Sequence, residues 1–184
     1  PKDGGNTFRG MMFVGGTTGA LQGANFDDEV KARGLPAPIE IKKLWDYNPG
    51  FGGPIMKDRL WFYAAARYNG EEIYTGGFAN ANVGNQARWD YVPDTNNRAR
   101  LWHEQHSTNV RLTWQVNPKH KLAAFYDDQW RCSCPNAVPP TDSPESSTEW
   151  HYPWAHVASL TWSSPLTNRL LFEAGVLRHP ERWV

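Results

Sequence analysis

Long apolar runs are absent from this sequence of 184 residues. A membrane-spanning helix needs about 20 consecutive, mostly apolar residues, whereas the mean hydropathy of this chain is −0.66. A membrane-spanning strand makes a weaker demand, since it needs about 9–11 residues of which every second one is apolar. The composition therefore excludes a helical membrane protein and leaves a strand-built one open.

An excess of charge of one sign is absent as well, because Lys and Arg together number 19 and Asp and Glu together number 19. A balanced chain has no basic field for nucleic acid, and we expect no nucleic-acid partner. Hydrophobic residues make up 40% of the chain, and 10 of the residues are Trp. This content is too high for a disordered chain and predicts a folded, aromatic-rich protein, most simply one domain.

Cysteine is scarce, and the two that occur, Cys132 and Cys134, form a Cys-Ser-Cys sequence in a polar segment. A lone C-x-C pair is a weak signal for a metal site. A disulfide in an oxidising compartment and a pair of free thiols are both simpler interpretations, and both stay open. We predict neither a metal site nor a cofactor.

Signals at the two ends are missing too. The sequence begins at Pro1 without a Met, it shows no secretion signal, and residues 182–184 follow a strand pattern without a terminating sequence. We therefore expect the chain to be a piece of a longer protein.

The strongest pattern present is an alternation of apolar and polar residues between Thr108 and Trp130. Only a strand can use a period of two. Residues 117–120 interrupt it with Asn-Pro-Lys-His, which is turn chemistry, because Pro cannot donate to a ladder of hydrogen bonds. The segment therefore predicts a hairpin. Its apolar positions are Val110, Leu112, Trp114, Val116, Leu122, Ala124 and Tyr126.

The same strand–turn–strand unit occurs on both sides of this hairpin, and short and long connections alternate. Short turns are predicted at 56–59, 117–120 and 164–168, between strands at 39–55, 60–68, 155–162 and 169–178, with a first strand at 7–14. Long connections are predicted at 15–38, 69–105 and 131–152, and the first of them holds a short helix that Asn25 caps and Gly34 ends. Long structureless loops are uncommon in compact soluble domains but are typical of outer-membrane barrels.

The polar partners in the strands favour the same interpretation. Arg111, Gln115, Asp127 and Glu173 suit a wet or plugged lumen better than a dry core. Trp114 and Trp162 lie near turns, where barrels carry an aromatic girdle. A Trp-rich soluble β-sandwich is the alternative.

The sequence Gly-Gly-Pro-Ile-Met-Lys-Asp-Arg-Leu-Trp-Phe-Tyr at 52–63 resembles a segment of TonB-dependent outer-membrane receptors. It is most similar to the Oar-like group, which carries a carboxypeptidase-regulatory-like domain. Residues 1–10 resemble the junction between plug and barrel in these proteins, and Ser-Pro-Leu-Thr-Asn-Arg-Leu at 164–170 resembles one of their turns.

The resemblance implies a closed antiparallel up-and-down transmembrane β-barrel of about 22 strands with a plug in its lumen. About seven strands would lie in this chain. Residues 1–6 would end the plug-to-barrel linker, and residues 7–184 would form the N-terminal part of the barrel. The expected location is the outer membrane of a Gram-negative bacterium, spanned many times. The implied partners are outer-membrane lipid, the rest of the barrel and its plug, the TonB energy-coupling complex, and a small-molecule or peptide ligand that is moved across the membrane.

No catalytic constellation is visible, and we do not expect an enzyme. The aromatic residues of the predicted loops are the best candidates for ligand contact, because flat rings offer stacking area at low entropic cost. They could equally pack the loops together or form an outer girdle. A secreted or surface ligand-binding module, for carbohydrate as an example, and a passive porin are the alternative functions. The candidate ligand-binding residues are Tyr74, Trp89, Tyr91, Trp102, Trp150 and Trp154.

Overall fold

The computed structural model describes residues 4–35, 37–136, 138 and 143–184. Seven strands form one antiparallel sheet in which each strand pairs with its neighbours in the sequence. The predicted all-β, up-and-down arrangement is therefore confirmed. The strands are β1 (Arg9–Thr18), β2 (Glu40–Met56), β3 (Leu60–Asn80), β4 (Pro93–Asn117), β5 (His120–Ser133), β6 (Trp150–Thr167) and β7 (Leu170–Arg178), and a short β8 (Glu181–Arg182) pairs with β6.

Helical structure is minor in the described part of the chain. It consists of α1 (Asp28–Ala32) and two 3-10 turns, Gly19–Leu21 and Pro144–Ser146. No helix among the described residues is long and apolar enough to cross a membrane. The prediction that Asn25 caps the helix is wrong: the Asp27 carboxylate accepts the hydrogen bond from the Val30 amide at 2.9 Å. Gly34 follows the helix with a φ of 95°, a conformation that glycine adopts without strain.

The first two short turns lie where the sequence predicts them, whereas the third is at 168–169 rather than 164–168, because β6 stays paired with β7 as far as Thr167. Side chains or backbone groups close each turn. The Arg59 amide donates to the Met56 carbonyl at 3.1 Å. The Asn117 side chain accepts from the Lys119 amide at 2.9 Å, and the Thr167 hydroxyl accepts from the Arg169 amide at 3.2 Å. Because the strands are antiparallel and consecutive, these turns share one end of the sheet, called the turn end below. The opposite end is the loop end.

The strands are longer than predicted at the loop end. The prediction of a structureless connection over 69–105 is wrong, because β3 continues to Asn80 and β4 begins at Pro93. Likewise β6 begins at Trp150, inside the connection predicted over 131–152. These extensions mix polar, aromatic and glycine residues without alternation, although their backbones stay paired.

The described residues form a single layer, and no second sheet covers either face of it. The sheet is also open, since β1 and β7 each pair on one side only. Buried small side chains gather at the loop end, where the 3-10 turn Pro144–Ser146 packs against β3. They include Ala79, Ala99, Cys132, Cys134 and Val138.

Candidate functional site

One face of the sheet carries a continuous apolar band. The register places Phe62 opposite Leu112, Leu112 opposite Ala124, Ala124 opposite Leu160, and Leu160 opposite Val176. Directly opposed residues point to the same face, so this row crosses five strands on one side. Leu112 is 42% exposed and Leu160 is 49% exposed. A sandwich core would bury these side chains, and here they lie uncovered.

Aromatic rings border this band at the turn end. Phe8 stacks on Phe51 with ring centroids 5.8 Å apart, and both rings also contact Phe62 of the band itself. On the same face but nearer the β7 edge of the sheet, the Trp162 ring contacts Phe172 at a centroid distance of 5.3 Å. The Trp162 indole donates to His120 Nδ1 at 3.2 Å. Trp114 lies in the same row, opposite Leu60 and Leu122.

A second aromatic row borders the band at the loop end. Tyr68 contacts Trp45, Tyr47 and His106 at centroid distances of 5.9, 6.1 and 4.5 Å, and His106 contacts Trp130 at 5.1 Å. Along β4 the two rows are separated by about eight residues of about 3.4 Å each, or roughly 20 Å once a strand tilt of about 40° is allowed for. The apolar belt of an outer-membrane barrel is about 25 Å tall between its girdles.

The opposite face is polar and hydrogen-bonded. Arg67 donates to both carboxylate oxygens of Asp46, at 3.0 and 2.7 Å. The Ser107 hydroxyl donates to the Asp127 carboxylate at 2.8 Å. Strand alternation places the predicted inner residues on this face together: Arg111, Gln115, Asp127 and Glu173.

The N-terminal segment is fastened to the β2–β3 turn by Asn6. Its side-chain oxygen accepts from the Asp58 amide at 2.9 Å and from the Trp61 indole at 2.7 Å, while its amide nitrogen donates to the Asp58 carboxylate at 2.5 Å. Asp58 has a φ of 62°, the left-handed conformation of a tight turn. Trp61 belongs to the polar face, because it pairs with Thr113. The chain therefore reaches β1 from the polar side of the sheet.

A charge cluster occupies the loop end around Glu72, which is 7% exposed. Its carboxylate lies 2.7 Å from Lys42 Nζ, 3.5 Å from Lys43 Nζ and 2.9 Å from Arg100 Nη1. Burial acts to raise the pKa of the Glu72 carboxyl. The hydrogen bond from Lys42 and the charges of the three cations outweigh burial, so the pKa lies below its ordinary value.

The cysteine pair lies beside this cluster. Cys132 and Cys134 form a disulfide, and both are buried. Their sulfur atoms lie 3.6 and 3.8 Å from Nδ1 of His151, whose Nε2 is 3.1 Å from the Glu149 carboxylate. A cleft of about 660 Å³ opens next to these groups, and Glu72, Arg100 and Trp102 also line it.

The six predicted ligand-binding aromatics do not form one site. Only Trp89 and Tyr91 lie in a loop, so the prediction that all six are loop residues is wrong for the other four. Trp89 is 94% exposed, and the Tyr91 hydroxyl donates to the Phe78 carbonyl at 2.9 Å. The strand residues are Tyr74 in β3, Trp102 in β4, and Trp150 and Trp154 in β6.

These four strand aromatics are dispersed along the loop end. Tyr74 lies under the Arg98 guanidinium at 5.0 Å, and Trp150 contacts Trp183 at 5.8 Å. Trp154 contacts His156 at 4.3 Å. Of the six, only Trp102 lines the cleft beside Glu72.

Sequence reasoning missed two groups at this end: the cations around Glu72 and the approach of His151 to the sulfur atoms. Both depend on cross-strand register. Cys132 lies opposite His151 after a register shift between Gln129 and Arg131. No periodic pattern in the sequence indicates that shift.

Comparison with curated proteins finds one similarity to report. Over 63 residues, which are 34% of this chain, the sequence is 33% identical to the TonB-dependent transporter Oar of Myxococcus xanthus. The matched region spans 6% of that transporter's length. No family model matches the chain, and no solved structure matches it significantly.

Proposed function

We propose that this chain is a section of the barrel of a TonB-dependent outer-membrane transporter of the Oar-like group. In this proposal residues 1–6 end the linker from a plug and residues 7–184 begin the barrel. The complete protein moves a small-molecule or peptide ligand across the outer membrane, driven by the TonB complex acting on the plug. Its role is transport rather than catalysis. The six loop-end aromatics stay predicted ligand contacts.

The observation that carries the proposal is the one-sided apolar band between two aromatic rows. Side chains such as Leu112 and Leu160 are large, apolar and about half exposed on a sheet without a second layer. A soluble protein rarely exposes a contiguous band of large apolar side chains across several strands. In a membrane these apolar side chains contact lipid hydrocarbon instead of water, and the aromatic rows suit the two membrane interfaces.

The placement of the N-terminal segment supports the plug as a partner. A plug lies in the lumen of a barrel, so a chain leaving it reaches the first strand from the inner face. Asn6 brings residues 4–7 to the polar face at the turn end through Asp58 and Trp61. It thereby joins two sequence motifs that carry the resemblance, Gly-Gly-Asn and Lys-Asp-Arg-Leu-Trp.

Spin labels on adjacent residues test the membrane face directly. In the full-length protein in lipid vesicles, with Cys132, Cys134 and any cysteine outside these 184 residues replaced by Ser, single cysteines are placed at Leu112 and Leu160. The matched controls are Arg111 and Ser159, their neighbours on the opposite face. We expect labels at Leu112 and Leu160 to collide preferentially with dissolved oxygen, which concentrates in lipid, and the controls to collide with a water-soluble nickel complex. Equal access of the nickel complex to all four positions would refute the proposal.

Liposome swelling distinguishes a plugged transporter from a passive porin. Vesicles that contain the full-length protein are diluted into an isotonic pentose solution. We expect no swelling, because a plug closes the lumen, and rapid swelling would favour the porin. A protein that stays monodisperse without detergent would instead favour the secreted binding module.

A further inference from the structure

The disulfide and His151 lie together in an arrangement that fits a metal ion once the sulfur atoms separate. Cys132 Sγ, Cys134 Sγ and a His151 ring nitrogen all lie within 4.8 Å of one another. In a tetrahedral zinc site with Zn–S of about 2.3 Å and Zn–N of about 2.0–2.1 Å, a sulfur and a nitrogen ligand are about 3.5 Å apart. His151 Nδ1 is 3.6 Å from Cys132 Sγ and 3.8 Å from Cys134 Sγ. The imidazole therefore stands near a ligand position already.

Glu149 orients this imidazole. Its carboxylate lies 3.1 Å from His151 Nε2, so Nε2 carries the proton and donates it to the carboxylate. The lone pair is then on Nδ1, which lies 3.6 Å from Cys132 Sγ and 3.8 Å from Cys134 Sγ, while Nε2 lies 3.6 Å from Cys134 Sγ. Metal-binding histidines usually have such a carboxylate partner on the nitrogen that does not bind the metal.

The protein backbone holds the three groups without help from the disulfide bond. Cys132 and His151 are directly opposed in the β5–β6 ladder. The Cys134 amide donates to the Trp102 carbonyl of β4 at 2.8 Å, which holds the second cysteine against the sheet. Cys132 is 2% exposed and Cys134 is 8% exposed, so the two sulfur ligands are shielded from bulk water, whereas the His151 side chain is 44% exposed.

We propose that Cys132, Cys134 and His151 bind a thiolate-seeking divalent ion of the Zn²⁺ type when the disulfide is reduced. The fourth ligand position faces the cleft beside Glu149 and Arg100, where a water molecule completes the coordination. Cys134 is thus held beside Cys132 by a covalent bond in the oxidised form, and in the reduced form a metal ion joins both residues to His151 of β6. This inference concerns the loop end alone and does not depend on the transport function.

A dithiol can supply the electrons and protons that convert the disulfide form into the reduced form. The dithiol gives two electrons and two protons to Cys132 and Cys134, the Sγ–Sγ bond breaks, and the dithiol closes into its own disulfide. Binding of the metal ion then releases both thiol protons to solvent, because the thiolate is the ligand. An oxidant that removes two electrons from the thiolates expels the ion and restores the disulfide.

Cobalt titration of the full-length protein in detergent tests the site, with Co²⁺ as the probe and Zn²⁺ as the competitor. After reduction with a phosphine and its removal, we expect one Co²⁺ per chain, an absorption band from thiolate-to-cobalt charge transfer, and displacement by Zn²⁺. The oxidised protein should show none of these signals. An identical titration in both redox forms, or no cobalt spectrum after reduction, would overturn the proposal.

Variants separate the ligands from the residue that orients them. We expect the double variant C132S/C134S to lose the charge-transfer band entirely and H151A to weaken Zn²⁺ binding more than E149Q does. E149Q should weaken it about 10–100-fold, since the replacement keeps the shape but weakens the hold on the imidazole. H106A is the matched control, because His106 also contacts a carboxylate, that of Glu104 at 2.9 Å, and it should bind Zn²⁺ as the parent does. Equal affinity in the parent and H151A would show that His151 is not a ligand.

Discussion

At the scale of single residues, Asn6 joins segments that are far apart in the sequence. One side chain satisfies the backbone amide of Asp58, the indole of Trp61 and the carboxylate of Asp58. The turn at Asp58 has a positive φ, so these bonds also stabilise a conformation that a non-glycine residue adopts at some cost. The resemblance at 1–10 and at 52–63 thus has a physical counterpart in one contact.

Replacement of Asn6 by Ala should loosen the turn. It removes the acceptor of two hydrogen bonds and the donor of a third, each worth about 0.5–1.5 kcal/mol. We expect the Asp58 amide to exchange its hydrogen about 5–10-fold faster, with no change in the β4–β5 hairpin. Hydrogen exchange with mass spectrometry measures this, and T7A is the control in the neighbouring position. Unchanged exchange at Asp58 in N6A would show that the contact contributes nothing.

Glu72 makes the loop end sensitive to acid. Since its folded pKa is lowered below the ordinary value of 4.5, its contribution to stability is complete above that ordinary value and is lost as the pH falls through the lowered one. Replacement by Gln leaves Lys42 and Arg100 without their carboxylate, and hydrogen bonds to a charged group are worth about 1.5–3 kcal/mol. We expect E72Q to unfold its loop end more readily at neutral pH and to differ little from the parent in strong acid.

Limited proteolysis across a pH series measures this difference. An acid-stable protease is needed, and cleavage within 134–149 reports opening of the loop end. E29Q is the control, since Glu29 forms an exposed ion pair with Arg33 and exposed pairs contribute little. A constant difference between E72Q and the parent at every pH would contradict the lowered pKa.

At the scale of the strands, the sequence predicts the turn-end halves and misses the loop-end halves. Alternation between apolar and polar residues arises only where the two faces meet different surroundings. Between the aromatic rows they do, and Leu112, Trp114 and Leu122 share one face, as the alternation predicts. Beyond Tyr68 polar, aromatic and glycine residues follow one another without alternation, and β3 continues to Asn80 through backbone pairing with β2 as far as Tyr74 and with β4 beyond it. Periodicity cannot reveal a strand whose two faces do not differ consistently in polarity.

For the cysteines and the aromatic residues, too, the sequence predicts features that depend on nearby residues and misses those that depend on strand pairing. The Cys-x-Cys pair is visible in the sequence because its members are two residues apart. The approach of His151 depends on the pairing of β5 with β6, which loop length and a register shift determine. The dispersion of the six aromatics likewise follows from how far each strand extends, and composition holds no information about that.

An arginine scan along the apolar face tests whether its depth matters. Val110 lies midway between the aromatic rows, four residues from Trp114 and four from His106 along β4. Arg at the middle of a bilayer costs about 2–4 kcal/mol in a barrel strand, falling to about 0–1 kcal/mol near an interface. We expect V110R to be destabilised by the larger amount and L166R, beside the turn-end row, by the smaller. Urea unfolding of the full-length protein in phospholipid vesicles gives both values. S159R, on the opposite face, should cost less than V110R, and equal costs at all three positions would contradict a membrane-facing band.

At the scale of the whole molecule, the sheet is open, and the backbone groups at its two edges lack hydrogen-bond partners among the described strands. β1 and β7 each pair on one side only within the described residues. An unpaired strand edge in water invites association with another chain, and in hydrocarbon each unpaired backbone group costs several kcal/mol. The central strands have no such exposure, since β4 pairs with both β3 and β5 along most of its length.

We therefore expect further strands to pair with β1 and β7 and close the sheet, and hydrogen exchange can test this expectation. In the 184-residue chain refolded with lipid, amides of β4 should be protected while amides of β1 and β7 that point outward exchange rapidly, and the chain should form concentration-dependent oligomers. In the full-length protein the same β1 and β7 amides should become as slow as those of β4, because neighbouring strands accept their hydrogen bonds. If the 184-residue chain is instead monomeric in plain buffer with both edges protected, the sheet is complete by itself, and neither lipid nor a barrel is required to explain it.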